Sequence, residues 1–249
     1  MAGTLIGMCG KRVPTMSAAS KRLPPDLIRF MVSRKGLSIS AVRLSDVTVA
    51  GLPDEFEQFE QRIFAEIRST RTLEQLKDDP VFRSYRDLYW TFGMDPTKLR
   101  VSSEALVRRV LNGHNLWRVN NVVDVANLAS AYHGLPIGLI DEDRLDGELV
   151  VRTAKRGEVF RRIGGKELVC RGREIVLADA SKIVCFGFAT HDADYTKVTS
   201  ETTSVLLLIY GAPVVREAVM HDAMDKTLKM VRKWLECEVG HPRLYTGPG

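Results

Sequence analysis

The chain has 249 residues, of which 45% are hydrophobic and 27% charged, enough apolar material for a sizeable core. No apolar run approaches the roughly 18 residues that a membrane-spanning helix needs, so that class is excluded. The net charge of +5 points to a polyanionic partner until it is located: residues 1–35 hold seven basic side chains against Asp26 alone, and the remainder sums to −1.

Residues 1–35 read as a basic N-terminal extension, without an acidic residue before Asp26 and rich in Ser, Arg and Lys. Three readings stay open: a bland extension, an RNA-contacting arm, or a targeting segment. Any RNA affinity is expected to depend heavily on this segment, because the charge excess lies there. Residues 37–50 alternate (Leu37, Ile39, Val42, Leu44, Val47, Val49) and predict one or two strands. Asp54 with Glu57 forms a capping-box pattern, and Phe56, Phe59, Ile63, Phe64 and Ile67 follow at helical spacing. Asp79-Pro80 starts a second helix that Gly93 closes. A third helix runs from Ser102-Ser103 to Gly113, and a fourth from Val119 to His133, ended by Gly134 and Pro136.

The character then changes. Leu149–Val151, Ile175–Leu177, Ile183–Phe186 and Val205–Ile209 read as short strands. Turns are expected at Asp146-Gly147, Arg156-Gly157, Gly164-Gly165 and Arg171-Gly172, with Gly164-Gly165 as a hairpin. A last amphipathic helix covers Pro213 to Glu236, and residues 241–249 form a loop-like tail. Helices first and strands later predict an α+β class, with one domain over residues 36–240 and helices on a mostly antiparallel or mixed sheet. Cys9, Cys170, Cys185 and Cys237 lack the close pairing of a zinc site and read as free thiols in a reducing, cytoplasmic compartment. Cys185 reads as a small core hydrophobe. No metal and no cofactor are expected.

One run, Arg118-Val119-Asn120-Asn121-Val122-Val123-Asp124-Val125-Ala126-Asn127-Leu128, resembles the signature of the B3/B4 domain of the phenylalanyl-tRNA synthetase β subunit. The resemblance continues in the same order through Gly134-Leu135-Pro136, Gly147 to Ala154, Gly164 to Glu167, Ile175 to Asp179, and Val198-Thr199 with Thr202 before Val205-Leu206-Leu207. The stretch from Tyr85 to Arg109, and His191 to Lys197, look like stand-alone B3/B4 proteins. The resemblance implies the B3/B4 editing fold and, as an activity, hydrolysis in trans of tRNA esters that carry the wrong amino acid. The implied partner is the aminoacylated 3′ end of tRNA; no membrane partner is expected. Aminoacylation is not expected, since no stretch is left for the synthetase's catalytic or anticodon-binding parts.

Two departures bear on substrate. The synthetase's Gly-rich loop is replaced by Ala189-Thr190-His191-Asp192-Ala193-Asp194. Leu208 stands where several synthetases carry a side-chain-reading Glu, so tyrosine selectivity is not carried over. His191, Asp192 and Asp194 form the only dense His/carboxylate cluster, and His191 and Asp192 are the candidates for positioning a water. In a strand these two neighbours point to opposite faces; in a loop they can cooperate. Asn120 and Asn121 are candidates for the polar wall of a substrate pocket or for a helix cap. Asp194, Lys197, Thr199 and Thr202 are further candidate substrate contacts, Thr199 and Thr202 being equally suited to bracing a turn. Leu208 would form an apolar floor. Two other functions fit the residues: an RNA-binding module without catalysis, and a binder or hydrolase of a small amino-acid derivative.

Overall fold

A computed structural model describes residues 22–248. In chain order the elements are β1 (Ile28–Phe30), β2 (Ser38–Ser45), α1 (Glu55–Thr70), α2 (Pro80–Thr91), α3 (Ser102–Leu111), α4 (Asn121–His133), β3 (Ile137–Asp141), β4 (Leu149–Thr153), β5 (Arg156–Arg161), β6 (Glu167–Arg171), β7 (Ile175–Ala178), β8 (Ile183–Phe186), β9 (His191–Asp192), β10 (Val205–Gly211), α5 (Glu217–Trp234), β11 (Glu238–Val239) and β12 (Arg243–Thr246). The class is α+β, as the element pattern predicts.

Two sheets form the body. One is ordered β1-β4-β7-β8-β9, the other β11-β2-β10-β3 with β12 also on β2. Only the β1–β4 pairing is parallel between named strands. β10 is the central strand of the second sheet. It is buried along its whole length, which is why Val205 to Ile209 reads as an unbroken apolar run. Helix α5 packs on β10 and β2, α4 on α5, α3 and β3, and α1 on α3 and α4.

The boundary expected at residue 35 cuts through folded chain. Leu23, Ile28 and Val32 are buried, and β1 extends the first sheet through β4. At the other end β12 pairs with β2, so residues 243–246 are a strand rather than a loop-like tail. Expectations for residues 1–21 lie outside the described residues. Arg156-Gly157 and Arg171-Gly172 are not free turns either. Arg156 and Arg171 face each other in the β5–β6 hairpin, and Gly157, at φ 83°, occupies an irregularity in that pairing.

The helix signals resolve unevenly. Asp79 accepts from the Val81 and Phe82 amides at 2.8 and 3.2 Å, and Gly134 ends α4 at φ 86°. Asp54 makes no side-chain cap bond; its backbone is already helical there.

His133 joins α4 to α5. Its Nδ1 accepts from the Leu135 amide at 3.0 Å, and its Nε2 lies 3.2 Å from the Thr227 hydroxyl. Burial, reinforced by Lys226 and Arg71, pushes its pKa down to about 3. An unfolded imidazole titrates near 6.5, so the folded state binds fewer protons between those values. This group's contribution is complete above about pH 6.5 and is lost as pH falls toward 3. The urea midpoint of the parent should therefore fall relative to that of His133→Gln between pH 7 and pH 5.

Candidate functional site

Strands β8 and β9 place Asp192 opposite Cys185 and His191 opposite Phe186. Partners across an antiparallel pair share a face, so Asp192 and His191 point to opposite sides of the sheet. Asp192 turns toward the second sheet. There the Cys185 thiol on β8 and the Leu139 amide on β3 favour its charged form. A Cβ built on Gly138 would stand 3.3 Å from Asp192 Oδ1 and 3.0 Å from the Tyr210 hydroxyl, so Gly138 is the gap through which these groups meet. The Tyr210 hydroxyl is fully buried beside the Cys185 thiol and makes no hydrogen bond of ordinary geometry among the described residues.

This seam is electrostatically unusual. Burial raises the Asp192 pKa to about 6, against the pull of the Cys185 and Leu139 donors. A carboxylate with that pKa exchanges a proton near neutrality, as a general base must. Cys185 is held protonated by burial and by the Asp192 charge. On the other face, burial and Arg162 lower the His191 pKa, favouring the neutral imidazole.

The loop between β8 and β9 carries backbone strain beside the carboxylate. Gly187, Phe188 and Ala189 all have positive φ, at 72°, 50° and 82°. Positive φ is costly for residues with a Cβ, and such strain gathers at functional sites. Helices α2 and α3 hold the loop. The Tyr89 hydroxyl lies 2.6 Å from Thr190 Oγ1, and the Ser102 amide donates to the Ala189 carbonyl at 3.1 Å. The Ala189 amide donates to Cys185 Sγ at 3.2 Å. Phe188 packs edge-on against Tyr210. Releasing the strain at one position should be measurable: Ala189→Gly is expected to stabilise the protein by up to about 1 kcal/mol. Chemical denaturation tests this, and a loss of stability would show that the methyl group's packing outweighs the strain.

Of the other candidates, all but Leu208 lie apart from the Asp192 seam. Asn120 caps α4, its Oδ1 accepting from the Val123 amide at 3.0 Å. Asn121 is buried; it accepts from the Ala50 and Val122 amides and donates to the Thr48 carbonyl. It also lines a cavity of about 400 Å³ with Lys233, Trp234 and Pro53. Asp194 pairs with Lys197 at 2.9 Å and borders a different cavity, of about 330 Å³, with Tyr195, Lys182 and Arg161. The Thr199 amide donates to Thr202 Oγ1, which donates to Asp141 Oδ2 at 2.8 Å, bracing the turn before β10. Leu208 is fully buried between Ala41 and Gly138, in the seam with Asp192. Sequence reasoning missed Tyr210, Gly138 and the Leu139 amide; they sit on strands remote in sequence from Asp192, and no local spacing marks them.

The model of the B3/4 domain family matches residues 84–233, well over half of the chain. The chain belongs to the B3/4 domain family. This B3/4 protein is 33% identical over 93 residues to the phenylalanine--tRNA ligase beta subunit of Protochlamydia amoebophila, a match covering 37% of the chain and 12% of that subunit. To the corresponding subunit of Lactobacillus acidophilus it is 31% identical over 129 residues, 51% of the chain and 16% of the subunit. The match thus spans under a fifth of these relatives' length. A solved structure, an N-terminal fragment of the phenylalanyl-tRNA synthetase beta-subunit from Pyrococcus horikoshii, superposes with a TM-score of 0.39 at 13% identity, covering 51% of this chain and 43% of that one. No helix among the described residues is long and apolar enough to cross a membrane.

Proposed function

We propose that this B3/4 protein hydrolyses aminoacyl esters at the 3′ end of tRNA, with Asp192 as the general base. The supporting observation is the Asp192 carboxylate, with its pKa near 6, set in the seam between the two sheets beside a strained loop. In this reaction water adds to the ester carbonyl as Asp192 takes its proton. The tetrahedral intermediate then expels the ribose oxygen, which takes that proton back, leaving free amino acid and tRNA. His191, facing away from Asp192, would meet a different part of the substrate if it contributes. Asp194 and Lys197, shortly after Asp192 in the chain, are the polar groups proposed to meet the terminal nucleotide.

One observation favours the binding-module reading. Leu208, Phe188 and Tyr210 are all buried and fill the seam with apolar or unpaired groups. The deciding experiment is single-turnover deacylation by the full chain, using a panel of tRNAs each carrying a different amino acid and the matching 3′-aminoacyl adenosines. Turnover of at least one ester is expected. No turnover of any ester would replace the hydrolase reading with the binding module.

A further inference from the structure

The body of the chain is close to neutral as a sum, but its charge is sorted in space. Residues 155–173, which comprise the β5–β6 hairpin and its flanks, contain seven basic residues and two acidic ones, so the rest of the body is acidic. On that hairpin Arg156 and Arg171 are direct cross-strand partners. Like charges so placed repel and destabilise a bare hairpin. Together with Arg173 they line an open cavity of about 480 Å³ that also touches Gly157, Val169 and Cys170. None of these three guanidinium groups has an ion-pair partner among the described residues.

The nearby carboxylates are otherwise engaged. Glu158 is chelated by Arg152 at 2.9 and 2.6 Å and by the Lys155 amide at 2.8 Å. Glu174 accepts from the backbone amides of Arg171, Gly172 and Arg173. Glu167 sits across the hairpin from Arg161, at the end away from the cavity. Arg173 has a defined place: its side chain lies over Gly93, where a Cβ would come within 2.7 Å of Arg173 Cδ. Beside the arginines the hairpin exposes an apolar cross-strand pair, Val159 and Val169, at 53% and 68%.

We propose that the β5–β6 hairpin is an RNA-backbone docking site, with Arg156, Arg171 and Arg173 gripping phosphodiester groups and Val159 and Val169 covering adjacent sugar or base faces. Planar guanidinium forks match phosphate oxygens in pairs, and a bound phosphate would relieve the Arg156–Arg171 repulsion. The proposal rests on the hydrolase reading only for the choice of RNA as the polyanion.

The test measures binding of uncharged tRNA to the full chain across a salt series. The variant is Arg156→Gln/Arg171→Gln/Arg173→Gln. The charge-matched control is Arg216→Gln/Lys229→Gln/Arg232→Gln, on α5 and its N-terminus. The hairpin variant should lower the slope of log affinity against log salt by roughly 2–3, since each released phosphate contact contributes about 0.7–0.9. The control should leave it near the parent value. The hairpin variant should also raise the substrate concentration needed for half-maximal tRNA deacylation, while hydrolysing 3′-aminoacyl adenosine at the parental rate. An unchanged slope, an equal drop in the control, or competition by polyglutamate as strong as by tRNA would overturn the proposal. A reduced slope in a protein that hydrolyses nothing would leave the docking site standing and remove the hydrolase.

Discussion

Asp192→Asn is expected to be more stable than the parent at pH 8 and far slower on an aminoacyl ester. The rate effect follows from removing the base: single-turnover deacylation should fall by roughly 10²–10⁴-fold. The parental rate should rise with pH through about 6, where Asp192 loses its proton, and the variant should lack that limb. The stability effect has the opposite sign. An unfolded Asp titrates near 3.9, so the folded state binds more protons between that value and about 6. Stability from this group is therefore lost as pH rises through that window, by about 3 kcal/mol before screening of the partly exposed carboxylate reduces it. An amide of the same shape keeps an acceptor for the Leu139 amide and carries no charge to bury. Gain at pH 8, no gain near pH 4 and loss of turnover together identify a destabilising group kept for its chemistry. Equal deacylation rates for variant and parent would remove Asp192 from the mechanism. This pH trend opposes that of His133, so comparing the two variants separates them.

The largest stability loss is expected at the start of α4. Arg118 Nη1 and Nη2 bond the two oxygens of Glu60 at 2.8 and 2.6 Å, and Glu60 is fully buried. The guanidinium also lies over the Phe56 ring, 5.2 Å from its centroid. Asp124 sits close by, its own pKa raised by burial. Arg118→Ala would leave the Glu60 carboxylate without its counter-charge and beside another acid. Breaking a buried pair from one side costs about 3–5 kcal/mol, and the half-exposed Arg118 places this one near the lower figure, about 3 kcal/mol. For a chain of this size that corresponds to a melting temperature lower by roughly 6–12 °C. Adding Glu60→Gln to Arg118→Ala should recover part of the loss, because the orphaned charge is then gone. A change within about 0.5 kcal/mol for Arg118→Ala would mean that water reaches Glu60 and the pair carries little.

The sequence was most informative where structure is local. Asp79-Pro80 and Gly134 act through amides and dihedrals within a few residues, and both ends fall where the signals put them. β1 and β12 are three- and four-residue strands whose partners lie over a hundred residues away, so periodicity had little to work on. β5 and β6 were hidden by glycines that mark a bulge and a strand end as readily as a turn. At the site, the His191–Asp192 pair was legible as a cluster, and the strand geometry then separated its members. The environment that gives Asp192 its proton affinity was not legible, because Cys185, Leu139 and Tyr210 reach it from three strands. Neither was the strain at Phe188 and Ala189, since neither residue type announces positive φ.

The pairing of β2 also bears on the order in which the protein is made. β2 emerges early, yet its neighbours are β10 on one side and β11 and β12 on the other. Tyr245 and Gly247 add ties between early and late residues, from the Tyr245 hydroxyl to the Pro24 carbonyl and from the Gly247 amide to the Leu37 carbonyl, and Arg43 on β2 bonds Glu142 from mid-chain. On a translating ribosome a nascent β2 keeps one edge open until β10 clears the exit tunnel and the other until β11 and β12 do. Closing so long a loop is slow, and an unpaired strand edge is a template for aggregation meanwhile. The second sheet is thus completed only once β12 is out of the tunnel, and a stalled nascent chain lacking β12 would be the form most in need of a chaperone.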